Sequence, residues 1–424
     1  MNMKIRKHPF ILSMLLLGSL LLSACAGLLE QVEQAVQEDY GPNYSAQERH
    51  TRSFEALWTL LEKNYIHYDS AGVDWDSLHD QYTTKIEAGL DNDQFSDLLR
   101  ELGAELPIGA LAYQSRSERL EADTGDFSTY EGIGAIIGFQ EKEEPHIVIL
   151  DVIEDSPAEK AGLKPHDSIY AIDGNPVLLE EGLSVVNRVR GPAGSTVTLD
   201  VRSPGKAERT VEVTRGKLAS GGKLEAYQIK GTQYGYILFP PINYADMTND
   251  VRASLQTFTS NQKMEGLILD LRVASSSNGW PLGDLFALFF DGNAGEFYNR
   301  ADQTEAVAIK GEDYLSSQSV PLIILIGSNT TGSPEILAAS LQAGDRAIII
   351  GGATSGSIEA TDVFYLPDGS RIFIETASFR LSDGSELGGK GIKPDVALDA
   401  GWDKVHPNSD PVLDKAVEIL DEQK

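Results

Sequence analysis

Cysteine is almost absent from these 424 residues: the single copy is Cys25. One thiol excludes a disulfide within the chain, and a chain without disulfides is still compatible with export. Basic residues are few, 35 Lys and Arg against 64 Asp and Glu, for a formal net charge of −29. That balance argues against nucleic acid as a partner, because phosphate binding needs clustered Lys and Arg. It fits a solvated acidic surface. Histidine is scarce as well. His67 and His79 stand isolated and the acids are scattered, so the pattern contains no metal constellation and calls for no cofactor. The one long apolar run, "ILSMLLLGSLLL", begins at residue 11 and is too short and too terminal for an ordinary membrane span. What is there is an apolar fraction of 41% and a length suited to two or three domains.

The apolar run follows Lys4, Arg6 and Lys7 and leads into "LSAC", residues 22–25. Ser23 and Ala24 before the lone cysteine resemble the bacterial lipoprotein signal, in which a small-residue site precedes the lipidated cysteine. The resemblance implies removal of residues 1–24, acylation of Cys25 and attachment to a membrane face after export. Ala26 lacks the aspartate that resembles an inner-membrane retention signal.

Residues 25–47 read as a polar tether. From 48 to 125 the texture is helical: Phe54, Leu57, Trp58, Leu61 and Tyr65 recur on one face, and Phe95, Leu98, Leu99 and Leu102 form a second stripe with Asp93 placed to cap it. After the turn-rich "ADTGDFSTYEG" come short strands, "HIVILDVI", "SIYAIDG", "TVTLDVR" and "RTVEVTR", divided by Gly, Pro and Asp, as in a small β-rich domain. From 218 to 420 the strand candidates "YGYILF", "GLILDL" and "PLIILI" alternate with helical stripes such as Leu282, Leu285, Phe286 and Phe289. This is α/β patterning.

Residues 126–217 resemble a bacterial PDZ domain through three pieces in order: "GIGAIIG", "VIEDSPAEKAGLKPHDSIYAIDGNPV" and "VRGPAGSTVTLDV". Gly132 and Gly134 let successive N–H groups turn into one hollow, a nest for a carboxylate. The strand that starts at Ala135 offers an edge to an added peptide, and Ile133 is placed to cap the terminal side-chain pocket. The family usually has Gly-Asp where this chain has His166-Asp167, and histidine tolerates positive φ less well than glycine.

Residues 218–420 resemble the core of the tail-specific, or C-terminal processing, peptidases. The landmarks are "YGYILF", "GLILDLR", "PLIILIGSNTTGSPEILAASL", "AIIIGGATSG", "LPDGSRIFIETASFRLSDGSEL" and "GKGIKPDVAL". The resemblance implies an α/β multidomain fold: a helical N-terminal segment, a PDZ domain and a core related to the ClpP/crotonase architecture. It also implies an exported serine endopeptidase that selects substrates by their C-termini.

The family's reaction uses a Ser–Lys dyad, in which a neutral lysine takes the proton of a weak nucleophile and a Gly-rich turn holds the oxyanion. Carried over by position, the nucleophile falls on Gly332, three residues before Glu335. The lysine falls on Ser357, twenty-five positions later, and its supporting glutamine on Thr361. The oxyanion turn reads "VASSS", with Ser276 and Ser277 where the family has glycines. Ser333 is the nearest hydroxyl, but Ser-Pro-Glu at the start of a helix reads as an N-cap, an early proline and a first-turn acid. Lys390 and Lys393, in "GGKGIKPD", read as solvated.

Three readings remain open at this stage. The first is a lipid-anchored, non-catalytic binder or scaffold for protein C-termini or unfolded peptide segments. The second is an active serine endopeptidase with a rearranged site around Ser333. The third is a small-ligand-binding protein using the former catalytic cleft. The sequence sets no oligomeric state.

Overall fold

The computed structural model describes residues 44–424 apart from 125–128, 220–221, 277–278, 399 and 407–408. Cys25 and the segment read as a signal and tether therefore lie largely outside the described residues. The chain divides into two compact units, one of residues up to 125 with 361–376, the other of residues 126–360 with 377–424. The return of 361–376 to the first unit differs from the sequence reading, which places those residues in the last domain. No helix among the described residues is long and apolar enough to cross a membrane.

The first unit is built on helices α1 (Ala46–Asn64), α2 (Trp75–Glu87) and α3 (Asn92–Glu105). Ser45 opens α1 with a capping box: its hydroxyl accepts from the Glu48 N–H, and the Glu48 carboxylate accepts from the Ser45 N–H. The apolar stripe is buried as its spacing predicts, at Phe54, Leu57, Leu61 and Tyr65, while Trp58 is half-buried. Helix α3 corrects one expectation. Its cap is Asp91, boxed with Gln94, and Asp93 sits in the first turn, where an acid still complements the helix dipole. Phe95, Leu98, Leu99 and Leu102 pack with Leu366, Ile372 and Ile374 of the returning segment.

The second unit carries a six-stranded antiparallel sheet, with β1 (Ala135–Gln140), β2 (His146–Val152), β3 (Ser168–Ile172), β4 (Thr196–Arg202) and β5 (Arg209–Thr214) in that spatial order and the short strand Asn175–Pro176 paired to β3. Alternate residues such as Val197, Leu199 and Val201 point into its core. β1 is an edge strand, and a helical segment at 179–189 lies beside it.

Most of the rest of the unit is an α/β layer, beside an antiparallel sheet that includes Gly292–Asn299 and Thr304–Ile309. The layer's sheet runs β6 (Glu225–Gln228), β7 (Tyr234–Leu238), β8 (Gly266–Asp270), β9 (Leu322–Ile326), β10 (Ile348–Gly351) and β11 (Val396–Ala397), parallel from β7 onward. β8 and β9 are buried at every residue, as expected of parallel strands covered on both faces. One face packs against α4 (Met247–Thr259), α5 (Leu282–Phe289) and α6 (Ser333–Ala343), the other against α7 (Pro411–Glu422). At the carboxyl end of β8 a buried ionic cluster closes the layer. Asp270 accepts from the Tyr236 hydroxyl at 2.7 Å and pairs with Arg272 at 2.6 Å, and Arg272 also reaches Asp410 at 2.5 Å. Each charge has a partner, which is the condition for tolerating charge in a core.

Candidate functional site

Strand β9 ends at Ile326, and the chain turns through 327–332 into α6. Thr330 fixes this turn. Its buried hydroxyl donates to the Leu271 carbonyl at 2.8 Å and accepts from the Gly327 N–H at 3.0 Å. Gly332 then adopts φ 72°, ψ −132°, a conformation open to glycine and strained for other residues. The helix starts directly after it. The cap is therefore Gly332, with Ser333 and Pro334 already in the first turn, which corrects the expectation that Ser333 caps a helix beginning at Pro334. Ser333 is half-buried, and its hydroxyl has no hydrogen-bond partner among the described residues.

Glu335 lies beneath the turn, fully buried. Its carboxylate accepts from the Gly332 N–H at 3.2 Å and from the Gly356 N–H at 2.9 Å. Burial raises its pKa above the ordinary carboxylate value, and the hydrogen bonds from Thr354, Gly356 and Gly332 oppose that shift. The "TSGS" turn is thus tied to the α6 turn. The tie is doubled by the Ser357 carbonyl, which accepts from the Gly332 N–H at 2.8 Å. Ser357 itself is exposed, its hydroxyl 2.9 Å from that of Ser355. Thr361 lies exposed in the strand Ala360–Tyr365 and belongs to the first unit.

The "VASSS" turn meets the same place from the β8 side. Ser276 is exposed, and its N–H donates to the Thr331 carbonyl at 3.2 Å. Its hydroxyl oxygen stands 1.9 Å from where a Cβ on Gly332 would be, so it fills the space a side chain at 332 would use. Ser277 lies outside the described residues. "GGKGIKPD" packs on the "TSGS" turn, with the Gly389 N–H donating to the Gly356 carbonyl at 3.0 Å, yet the Lys390 ammonium pairs outward with Glu386 at 3.5 Å and Lys393 is exposed. Gly332, Ser276 and Ser357 are therefore brought together. They supply hydroxyls and a bare backbone, with no amine at the position where the sequence resemblance puts the dyad's base.

In the β-rich domain, Gly134 has φ 84°, and a Cβ there would stand 2.3 Å from that of Ser156. Gly132 is held in a short antiparallel pairing with Gly216 and does not share the left-handed conformation. Ile133 is buried in the domain core at 3% exposure and does not cap an open pocket. Ala135 opens β1, and further along that strand Gly138 approaches the nucleophile turn. A Cβ on Gly138 would be 2.7 Å from the Asn329 side-chain oxygen. Two histidines treated as isolated in the sequence have neighbours within the first unit. His79 is 3.2 Å from Glu55, and His67 lies within 4.8 Å of the Glu375 carboxylate.

Three family models divide the chain in the same order as the fold. A tricorn protease C1 domain matches residues 46–104, a PDZ domain residues 148–203, and peptidase family S41 residues 233–398. Together these matches support the tail-specific, or C-terminal processing, serine peptidase family for this chain. Among relatives of this peptidase family, it is 28% identical over 370 residues to the chloroplastic C-terminal processing peptidase of Tetradesmus obliquus, covering 82% of this chain and 76% of that one. It is also 28% identical over 354 residues to the carboxyl-terminal-processing protease of a Synechocystis species, covering 81% and 79%. Among solved structures, the photosystem II D1 C-terminal processing protease superposes with a TM-score of 0.64 at 23% identity, covering 89% of this chain and 98% of that chain. Mature CPAF superposes with a TM-score of 0.51 at 12% identity, covering 88% and 96%. At these identities the superpositions establish the shared fold.

The sequence pattern finds the turns of this S41 core but not Glu335 as the tie between them, nor Ser276 as the group filling the vacant side-chain space. A first-turn glutamate looks the same whether exposed or buried. Replacing Gly332 by serine tests the geometry. Gly332→Ser alone is expected to cost about 1–3 kcal/mol of stability through its backbone conformation, to displace the Ser276 hydroxyl, and to remain unlabelled by a serine-directed phosphonate. Urea unfolding and labelling followed by mass spectrometry check both.

Proposed function

We propose that this chain is an exported, lipid-anchored member of the tail-specific peptidase family that binds protein C-termini or extended peptide segments and holds them without cleaving them. The observation that carries this reading is the composition of the S41 turn. The elbow position is a glycine in the strained conformation, the base position is an exposed serine, and the N–H of Ser276 is engaged by Thr331. Loss of one triad member in a serine protease costs on the order of 10⁴ to 10⁶ in kcat, and here nucleophile and base positions depart together. Ser333 offers a hydroxyl one residue away, on the first turn of α6, but no lysine or histidine is hydrogen-bonded to it among the described residues. An error of about 1 Å in the placement of a reacting group costs on the order of 100-fold.

Binding is supported by the PDZ domain. Its edge strand β1 starts directly after Gly134, so a peptide added there would extend the sheet and bring its carboxylate to the turn at 132–134. Calorimetry on the full chain with peptides ending in apolar residues is the test. A free carboxylate is expected to bind at least about tenfold more tightly than its amide, charge-assisted hydrogen bonds being the stronger kind. Gly134→Ala is expected to lose a similar factor because its Cβ meets Ser156. Equal binding of acid and amide, or no peptide binding at all, would remove the reading.

The anchor rests on "LSAC" and the lone Cys25. Cys25→Ala is expected to move the protein from the membrane fraction to the soluble exported fraction and to abolish the acyl mass increment. Unchanged membrane recovery of that variant would contradict it.

A further inference from the structure

Three of the chain's seven histidines, His146, His166 and His406, lie where the PDZ domain meets the α/β core within the second unit. The contact is small. Val148 and Leu150 of β2 pack on Val273 and Trp402, with Leu238 alongside. The residues around Trp402 form a short 3-10 turn, Trp402–Lys404, clasped from the PDZ side by polar groups. His166 Nδ1 lies 2.8 Å from the Trp402 carbonyl, and its ring sits 4.2 Å from the indole at 40°. His146, 4% exposed and stacked on Tyr170, is 3.5 Å from the Asp403 carboxylate, and Lys404 reaches Glu143 at 3.4 Å.

His166 is the unusual member of this group. It has φ 74°, a conformation that glycine takes freely and a histidine takes only when surrounding contacts hold it. Its N–H donates to the Ile149 carbonyl at 2.9 Å within the PDZ domain, and its ring is held by Trp402. A second cost lies in the same contact: the Trp402 indole N–H is buried with no hydrogen-bond partner among the described residues. A strained residue and an unsatisfied donor across a narrow apolar seam describe a contact that a modest free-energy change can open.

Burial is the chief influence that favours the neutral form of His166. Burial pushes its imidazole below the ordinary histidine value, and the Arg272 guanidinium pushes the same way. The Trp402 carbonyl, Asp410 and Asp270 pull upward without reversing the shift. Asp410 and Asp270 are themselves paired with Arg272. On the PDZ side the adjacent Asp167 is paired with Arg209 and accepts from the Lys164 N–H. We propose that His166 is a pH-sensitive latch that holds the PDZ domain on the core when neutral and releases it when protonated in mild acid. A depressed histidine value in the docked state means docking is fully supported above about pH 6.5 and weakens below it, by up to about tenfold per pH unit. His146 faces the carboxylate of Asp403 and is not assigned to the release.

The experiment is hydrogen exchange of the full chain at pH 7.5 and 5.5, corrected for intrinsic rate, with the radius of gyration from X-ray scattering measured in parallel. In the unaltered chain, exchange in 402–405 is expected to rise about tenfold at the lower pH, matching the linkage above. Scattering is expected to show an expanded particle, while the PDZ core strand 168–172 keeps its protection. His166→Asn tolerates the backbone conformation, can donate to the Trp402 carbonyl and does not titrate, so it is expected to stay docked at both values. His166→Gly removes the clasp and is expected to exchange faster at both. His146→Gln is expected to keep the acid response. The proposal is overturned if the unaltered chain shows no acid-dependent rise at 402–405, or if His166→Asn shows the same rise. None of these readouts depends on peptide binding or hydrolysis, so the latch fails or holds apart from the proposed function.

Discussion

The site depends on one buried carboxylate. Glu335 is enclosed under the first turn of α6, and its two oxygens accept from the N–H groups of Gly332 and Gly356. Those N–H groups belong to turns that lie 24 residues apart in sequence. Without the carboxylate the Gly356 N–H would be an orphaned donor in a dry place, a cost of about 1–3 kcal/mol, and the Gly332 N–H would keep only the Ser357 carbonyl. With the carboxylate, the elbow at Gly332 keeps a conformation that has no local reason to persist, since the residue carries no side chain that the conformation could serve. The neighbouring Thr330 hydroxyl does the same for the turn's other side, by spanning Leu271 and Gly327. The scaffold of a nucleophile turn is therefore held from beneath, independently of the groups that would use it. Such support allows the fold of an S41 peptidase to be kept whatever residues stand at the positions that the sequence resemblance assigns to its chemistry.

Much of that scaffold is legible in the amino-acid order. The apolar run at 322–326 is a buried parallel strand because nothing in it needs water, and the Ser-Pro-Glu that follows does open a helix. The exact cap lies one residue earlier than the sequence suggests, because a serine is a better cap by type than a glycine and only the backbone angles decide. Asp93 and Asp91 are indistinguishable by type for the same reason: two acids near one helix start offer the same chemistry at neighbouring positions. Ile133 reads as a pocket residue from its place in "GIGA", yet the strand pairing at 132 turns it into the PDZ core.

What the sequence could not show is what distant segments do to each other. Ser276 filling the space beside Gly332, Glu335 joining two turns, and His166 lying on Trp402 are contacts between residues 21 to 236 positions apart. No period or local motif encodes them. The substitution of His166 for the usual glycine was visible, and its cost at positive φ was foreseeable. Its partner was not, because Trp402 reads only as one aromatic in a loop.

Under the proposed function, these features make a peptide-binding module beside a cleft that keeps the family's architecture without its reactive groups. Gly138 of the PDZ edge strand lies against Asn329 of the turn, so a peptide held on that strand would lie near the former reaction site. The most direct measurement of the central claim is incubation of the purified full chain with an unfolded protein, with new C-termini counted by mass spectrometry. The account predicts no cleavage above a blank lacking the protein, and no difference between the unaltered chain and Ser333→Ala. Cleavage that the Ser333→Ala substitution abolishes would contradict it.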